Sequence, residues 1–152
     1  MTADLLIRRA TAADVPTIIT LLADDQLGTS RESLDDLTPY LKAFADIDAD
    51  PNQVLVVAER NDEIVGTLQL TIIPGLSRRG SCRGLIEAVR VAASARGTGL
   101  GTTLIHWAIE ESRNRGATLV QLTSDKSRTD AHRFYLNLGF EQSHEGFKLK
   151  LS

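Results

Sequence analysis

Two stretches of this 152-residue chain carry residue types suited to chemistry. In "LIEAVRVA", Glu87 is the only acid in a strand-forming run that is otherwise apolar apart from Arg90. On a regular strand Glu87 shares a face with Leu85, Val89 and Val91. Desolvation in such surroundings disfavours a charged carboxylate and makes it a stronger base near neutral pH. An ion pair with Arg83 or another nearby arginine is the alternative. A few residues on, "ARGTGLG" has three glycines in five positions. Glycine weakens helices and strands, so a bare backbone is needed here for another reason.

The glycine run lies between a strand and a helix. The loop of Gly97, Thr98, Gly99, Leu100 and Gly101 then points several free N–H groups at one spot, next to the positive end of a helix. That arrangement suits a pyrophosphate, with Arg96 adding a charged contact. It is not a Walker loop, because no Gly-Lys-Ser/Thr follows. The dinucleotide fingerprint fails too, because Thr102 stands where its last glycine should be. A tight turn with no ligand remains the alternative.

The elements that must position these residues can be read from periodicity. "DLLIRRAT" reads as a strand. "TAADVPTIITLLADD" reads as a helix capped by Thr11, with Asp14 completing a capping box and Val15, Ile18, Ile19 and Leu22 as its apolar stripe. "RESLDDLTPYLKAFADID" reads as a less regular helical region interrupted near Pro39. "QVLVVAER" and "EIVGTLQLTII" form a hairpin about "ND". "SRRGSCRG" is a polar, basic loop and "LIEAVRVA" the next strand. "LGTTLIHWAIEESRNRG" is a helix ending at Gly116, "ATLVQLTS" a strand, and "TDAHRFYLNLG" a helix ending at Gly139. "FEQSHEGFKLKLS" closes the chain with strand-like alternation. The order predicts one α/β domain over residues 1–152 with a mixed sheet.

Composition narrows the partners. Net charge is −3, which argues against nucleic acid. Residues 1–70 hold 5 Lys+Arg against 13 Asp+Glu, while residues 71–152 hold 12 against 7, so the basic half carries the glycine loop. That suits a small anionic ligand. No apolar run approaches a membrane span and the N-terminus lacks a signal-peptide layout, so a cytoplasmic protein with no membrane partner is expected. Cys82 stands alone, and the histidines lack i, i+4 spacing, so no metal is expected.

"RGTGLG" after "IEAVRVAASA" resembles the acetyl-CoA motif of the GNAT superfamily of N-acetyltransferases, R/Q-x-x-G-x-G/A. "AHRFYLNLGF" resembles the family's A-x-x-x-Y-x-x-x-G-F-like ending, and the helix and strand between them keep the family's order. The resemblance covers roughly residues 54 to 140. It implies the GNAT fold: a mixed sheet of six to seven strands whose fourth and fifth strands splay apart, with about four helices. It implies that backbone amides from Arg96 to Thr102 hold the coenzyme A pyrophosphate. It also implies that Val89, Arg90 and Val91 pair with the pantetheine arm, one amide there polarising the thioester like an oxyanion hole.

Acetylation of an amine needs an ammonium deprotonated, a thioester within reach and a proton for the departing thiolate. Glu87 is the candidate base. Tyr135 falls beside the stripe of Ala131, Phe134 and Leu138, and the resemblance makes it the candidate acid; a core tyrosine with a satisfied hydroxyl is the alternative. Many members have an asparagine seven residues before the tyrosine, touching the cofactor, where this chain has Arg128. "DAHRFYLNLGFEQSH" is close to the aminoalkylphosphonate N-acetyltransferases. If that closeness extends to substrate, His132, Arg133 and His144, with Lys126 and Arg128, are candidates to contact an anionic group on the acceptor. The expected function is acetyl transfer from acetyl-CoA to a primary amine of a small molecule, in a homodimer. A protein acceptor or a non-catalytic coenzyme A-binding regulator are the alternatives.

Overall fold

A computed structural model describes residues 4–25 and 27–152. Residues up to Gln121 form one compact unit, and Leu122–Ser152 a second.

The first unit is built on a five-stranded sheet in the order β1-β2-β3-β4-β5. Its strands are β1 (Leu5–Arg9), β2 (Gln53–Arg60), β3 (Glu63–Ile73), β4 (Cys82–Val91) and β5 (Ala117–Gln121). Neighbours are antiparallel except β4 and β5, which run parallel. The β2–β3 hairpin turns at Asn61 and Asp62, both left-handed at φ 54° and 64°. Two consecutive positive φ values match the right-handed twist of the strands they join.

One face of the sheet packs against α5 (Leu100–Asn114), whose Leu100, Leu104, Ile105 and Ala108 are buried. Two glycines let this helix come close. A Cβ on Gly66 would stand 3.0 Å from Leu104 Cδ1, and one on Gly84 would stand 2.4 Å from Ser112 Oγ. The other face carries α1 (Val15–Ala23) and α3 (Thr38–Ala49), with Ala10, Ile18 and Val57 at the centre of their cluster. The short α2 (Gly28–Arg31) links them.

Four sequence expectations change. Pro39 opens α3 instead of interrupting it, since its missing N–H costs nothing in a first turn. Part of the expected basic loop is strand: β4 starts at Cys82, after the one-turn α4 (Ser77–Gly80) whose Arg78 and Arg79 are left-handed. Among the described residues the sheet has five strands, not six or seven. The shortfall lies at the chain's end, where "FEQSHEGFKLKLS" adopts no strand: alternation is present, but no neighbouring strand pairs with it among the described residues.

The capping box forms. The Thr11 N–H donates to Asp14 Oδ2 at 2.7 Å, and Arg8 grips the same carboxylate at 2.7 and 3.0 Å. Asp14 is only 7% exposed. The Arg8 guanidinium, aided by Thr11, holds its carboxyl at about 2, below the ordinary 3.8. A carboxyl depressed by folding stabilises the fold above its ordinary value, and that stability is lost as pH falls through the depressed one. Asp14→Asn is therefore expected to cost about 2 kcal/mol at pH 7 in urea unfolding. The gap to the parent should narrow between about pH 4 and 2. A gap independent of pH would assign the loss to packing.

The second unit holds α6 (Thr129–Asn137), closed by Gly139 at φ 98°. Its Tyr135 ring meets Phe134 and Phe140 edge-on, with centroids 5.2 and 5.8 Å apart.

Candidate functional site

β4 is the centre of the site, and it is not a regular strand. Thr67 pairs with Arg90 and Gln69 with Glu87, so Leu68 faces both Ala88 and Val89. Two residues against one make a β-bulge. Ala88 takes φ 55°, a left-handed conformation that costs a non-glycine residue about 1–3 kcal/mol and clusters at functional sites. A bulge leaves a backbone amide outside the ladder, the arrangement an oxyanion hole requires.

The bulge shifts the alternation of β4. Paired residues share a face, so Leu85, Glu87 and Arg90 lie on the face carrying Thr71, Gln69 and Thr67. Val89 and Val91 do not join Glu87, contrary to the regular-strand expectation. Glu87 is exposed, so the apolar enclosure expected for it is not formed. Neither does Glu87 form an ion pair with Arg83 or with any other described residue.

Arg90 does have a partner. Its Nε lies 3.0 Å from Asp25 Oδ2, both side chains being mostly buried. Asp25 Oδ1 also accepts from the Gly28 N–H at 2.6 Å. The pair ties the segment after α1 to the bulge strand.

β4 pairs with β5 only from Cys82 to Leu85. From Ile86 to Val91 that edge has no strand beside it among the described residues, because β5 ends at Gln121, opposite Leu85. The edge past the bulge contains Val89, Arg90 and Val91, the segment expected to receive an extended ligand arm.

Beyond β4 comes the glycine loop. Gly97 and Gly99 are left-handed at φ 79° and 84°, and a Cβ on either would meet nothing within 4 Å. The backbone conformation, not crowding, calls for glycine at both. The N–H groups of Gly97, Thr98, Gly99, Leu100, Gly101 and Thr102 donate no hydrogen bond among the described residues, whereas Thr103 N–H returns to Gly99 O at 3.1 Å. Open donors at the N-terminus of a 15-residue helix form an anion cradle. Arg96 stands beside it, 3.5 Å from Asp24, with both side chains 57% exposed. So open a pair contributes little, leaving the guanidinium available to an anionic ligand.

Glu87, the Val89–Val91 edge, Arg96 and the glycine loop thus belong to the first unit, while Tyr135, Arg128, His132, Arg133 and His144 belong to the second. Arg128 is the N-cap of α6. His132 Nε2 is 2.9 Å from Asp125 O, Arg133 is ion-paired with Asp130, and His144 Nδ1 is 2.6 Å from Ser143 Oγ. Ser127 holds the Asp125 carboxyl below the usual range. No group of three or more metal-ligating side chains is found among the described residues, nor any helix long and apolar enough to cross a membrane. Sequence reasoning missed the bulge, because "IEAVRV" contains no glycine to mark it.

Comparison with known proteins gives this geometry a context. The profile of the acetyltransferase (GNAT) family matches residues 17–140. An aminoalkylphosphonate N-acetyltransferase of Salmonella typhimurium is 35% identical over 93% of this chain and 88% of its own. A glucosamine 6-phosphate N-acetyltransferase of Trypanosoma brucei brucei is 40% identical over 58% of each chain. A crystal structure described as a transcriptional regulator from Bacillus halodurans superposes with a TM-score of 0.94 at 47% identity, covering 97% of this chain and 100% of that one.

Proposed function

The chain belongs to the acetyltransferase (GNAT) family and is an acetyltransferase, and from that premise we propose that it moves acetyl from acetyl-CoA to the primary amine of a small molecule. The observation that carries the donor assignment is the run of open N–H groups from Gly97 to Thr102 at the start of α5. They would hold the pyrophosphate, with Arg96 beside them. The edge of Val89, Arg90 and Val91 would pair with the pantetheine, bringing the thioester to the bulge.

The reaction is direct attack in a ternary complex. Glu87 takes a proton from the acceptor ammonium, directly or through water. The amine nitrogen then bonds to the thioester carbon, and a bulge amide stabilises the developing oxyanion. The C–S bond breaks, the Tyr135 hydroxyl protonates the thiolate, and the second proton lost by the amine nitrogen restores the tyrosinate by way of solvent. Positioning supplies much of the rate, and no covalent enzyme intermediate is needed.

The acceptor reading is an amine that also bears an anion, on the aminoalkylphosphonate pattern. The Salmonella relative's name and the basic charge of residues 71–152 support it. Arg128 near the cofactor, and His132, Arg133 and His144 near the acceptor anion, remain the proposed contacts from the second unit.

We read the protein as a cytoplasmic homodimer. Phe147, Leu149 and Leu151 are 94%, 86% and 93% exposed and alternate with Lys148 and Lys150 along a segment that joins no strand among the described residues. Such a segment is suited to adding onto an open sheet edge of a second copy. A single-chain mass in sedimentation equilibrium would remove the homodimer.

The test of function is thiol release from acetyl-CoA over a panel of aminoalkylphosphonates, polyamines and aminoglycosides. Glu87→Gln should slow turnover most near neutral pH, with the deficit shrinking toward alkaline pH as free amine becomes abundant. A deficit flat across pH would leave Glu87 outside proton transfer. Binding of coenzyme A without turnover of any amine would favour a regulatory protein, the reading suggested by the description of the Bacillus halodurans relative.

A further inference from the structure

The regular alternation of β4 before the bulge puts Arg83 and Glu87, charges of opposite sign, on one face, and neither has a counter-ion among the described residues. Arg83, Leu85 and Glu87 lie opposite Ile73, Thr71 and Gln69 of β3 and so face the same way. Arg83 is half-buried. Its Nη1 donates to Gln121 Oε1 on β5 at 2.9 Å, a neutral partner. Among the described residues no carboxylate lies within ion-pair distance of Arg83 and no cation within ion-pair distance of Glu87, whereas Arg90, further along that face, is paired with Asp25. A half-buried arginine whose hydrogen-bond partner is neutral keeps its positive charge uncompensated by the protein, and its remaining N–H donors are available to an anion.

Strand geometry sets the spacing. Four residues along a strand span about 13 Å between Cα atoms. The long arginine stem can close part of that distance, and Leu85 lies between the charges on the same face. The row thus reads carboxylate, apolar side chain, guanidinium. It complements a molecule with an ammonium at one end, a short carbon chain and an anion at the other.

We propose that Arg83 is a specificity-determining residue that receives the anionic end of a zwitterionic acceptor whose ammonium meets Glu87. The proposal rests on the acetyl-transfer reading above and deepens it: the anion contact comes from the sheet, next to the base, and Gln121 orients it. A planar guanidinium with donors to spare suits a phosphonate or carboxylate bidentately, whereas lysine offers only a point charge.

The experiment compares 2-aminoethylphosphonate with ethylamine, which keeps the two-carbon amine and drops the anion. The ratio of their kcat/KM values is measured in the parent, Arg83→Gln and Arg83→Lys. Loss of a charge-assisted contact should lower the phosphonate-to-ethylamine ratio roughly 10–100-fold in Arg83→Gln, carried mainly by KM, with Arg83→Lys recovering part of it. Thermal protection by coenzyme A, read in parallel, verifies that each variant is folded. An unchanged ratio in Arg83→Gln, or a parent that prefers ethylamine, overturns the proposal. If no amine is acetylated, the enzymatic reading fails on its own. Thermal protection by 2-aminoethylphosphonate still decides about Arg83: protection of the parent but not of Arg83→Gln supports it, and equal protection, or none in the parent, overturns it.

Discussion

Gly99→Asp is expected to abolish coenzyme A binding while leaving the fold in place. Position 99 has φ 84°, and nothing lies within 4 Å of where a Cβ would stand. Aspartate and asparagine are among the few residues other than glycine that visit this conformation, so the cost to folding should be about 1–2 kcal/mol. The cost to binding is larger, because a carboxylate would stand where the open amides and the end of α5 favour a phosphate. Acetyl-CoA at one hundred times its Kd should stabilise the parent by roughly 2.7 kcal/mol, and the variant should show no such gain at the same concentration. Gly99→Asn separates charge from shape and should keep much of the protection. An aspartate variant that binds like the parent would mean the pyrophosphate lies elsewhere.

Tyr135→Phe is expected to reduce kcat with little change in acetyl-CoA affinity. The ring's edge-on contacts with Phe134 and Phe140 depend on the aromatic carbons and survive the change. Only the hydroxyl is lost. General acid catalysis contributes roughly 10²–10⁴-fold, and the loss should appear in single-turnover measurements, where product release does not mask it. A thioester with a more acidic thiol should restore much of the rate, because its thiolate leaves without a proton. Parent-like single-turnover rates would take Tyr135 out of the mechanism.

Local signals carried much of this protein. Thr11 and Asp14 announced their capping box, because both partners lie within one turn. "ND" between two apolar runs announced the β2–β3 hairpin. "RGTGLG" announced a left-handed loop opening a helix, because only glycine tolerates such φ values freely. In the apolar stripe of α1, Val15, Ile18 and Ile19 followed from a period of 3.6, while Leu21 is buried more fully than the expected Leu22.

What failed was whatever depended on a neighbour far along the chain. Pro39 is compatible with a break or a beginning, and α3 made it a beginning because the residues after it could pack against β2 and α1. The closing segment alternates like a strand, but a strand exists only where another one pairs with it. The face of Glu87 turned on whether β4 is regular. Ala88 gives no sign of a bulge, and its left-handed φ is imposed by the pairing of Thr67 with Arg90 and of Gln69 with Glu87.

The sequence by itself determined the helix caps, the glycine loop, the α/β order and the family's chemistry, since each is written in residues that are near neighbours or a spaced motif. Only the tertiary structure decided that Arg90, not Val89 or Val91, lies on the face of Glu87, and that neither Glu87 nor Arg83 has a counter-ion among the described residues. A side chain's face depends on strand register, and one extra residue in a strand reverses every position after it. Register is set by the cross-strand partners that the fold supplies.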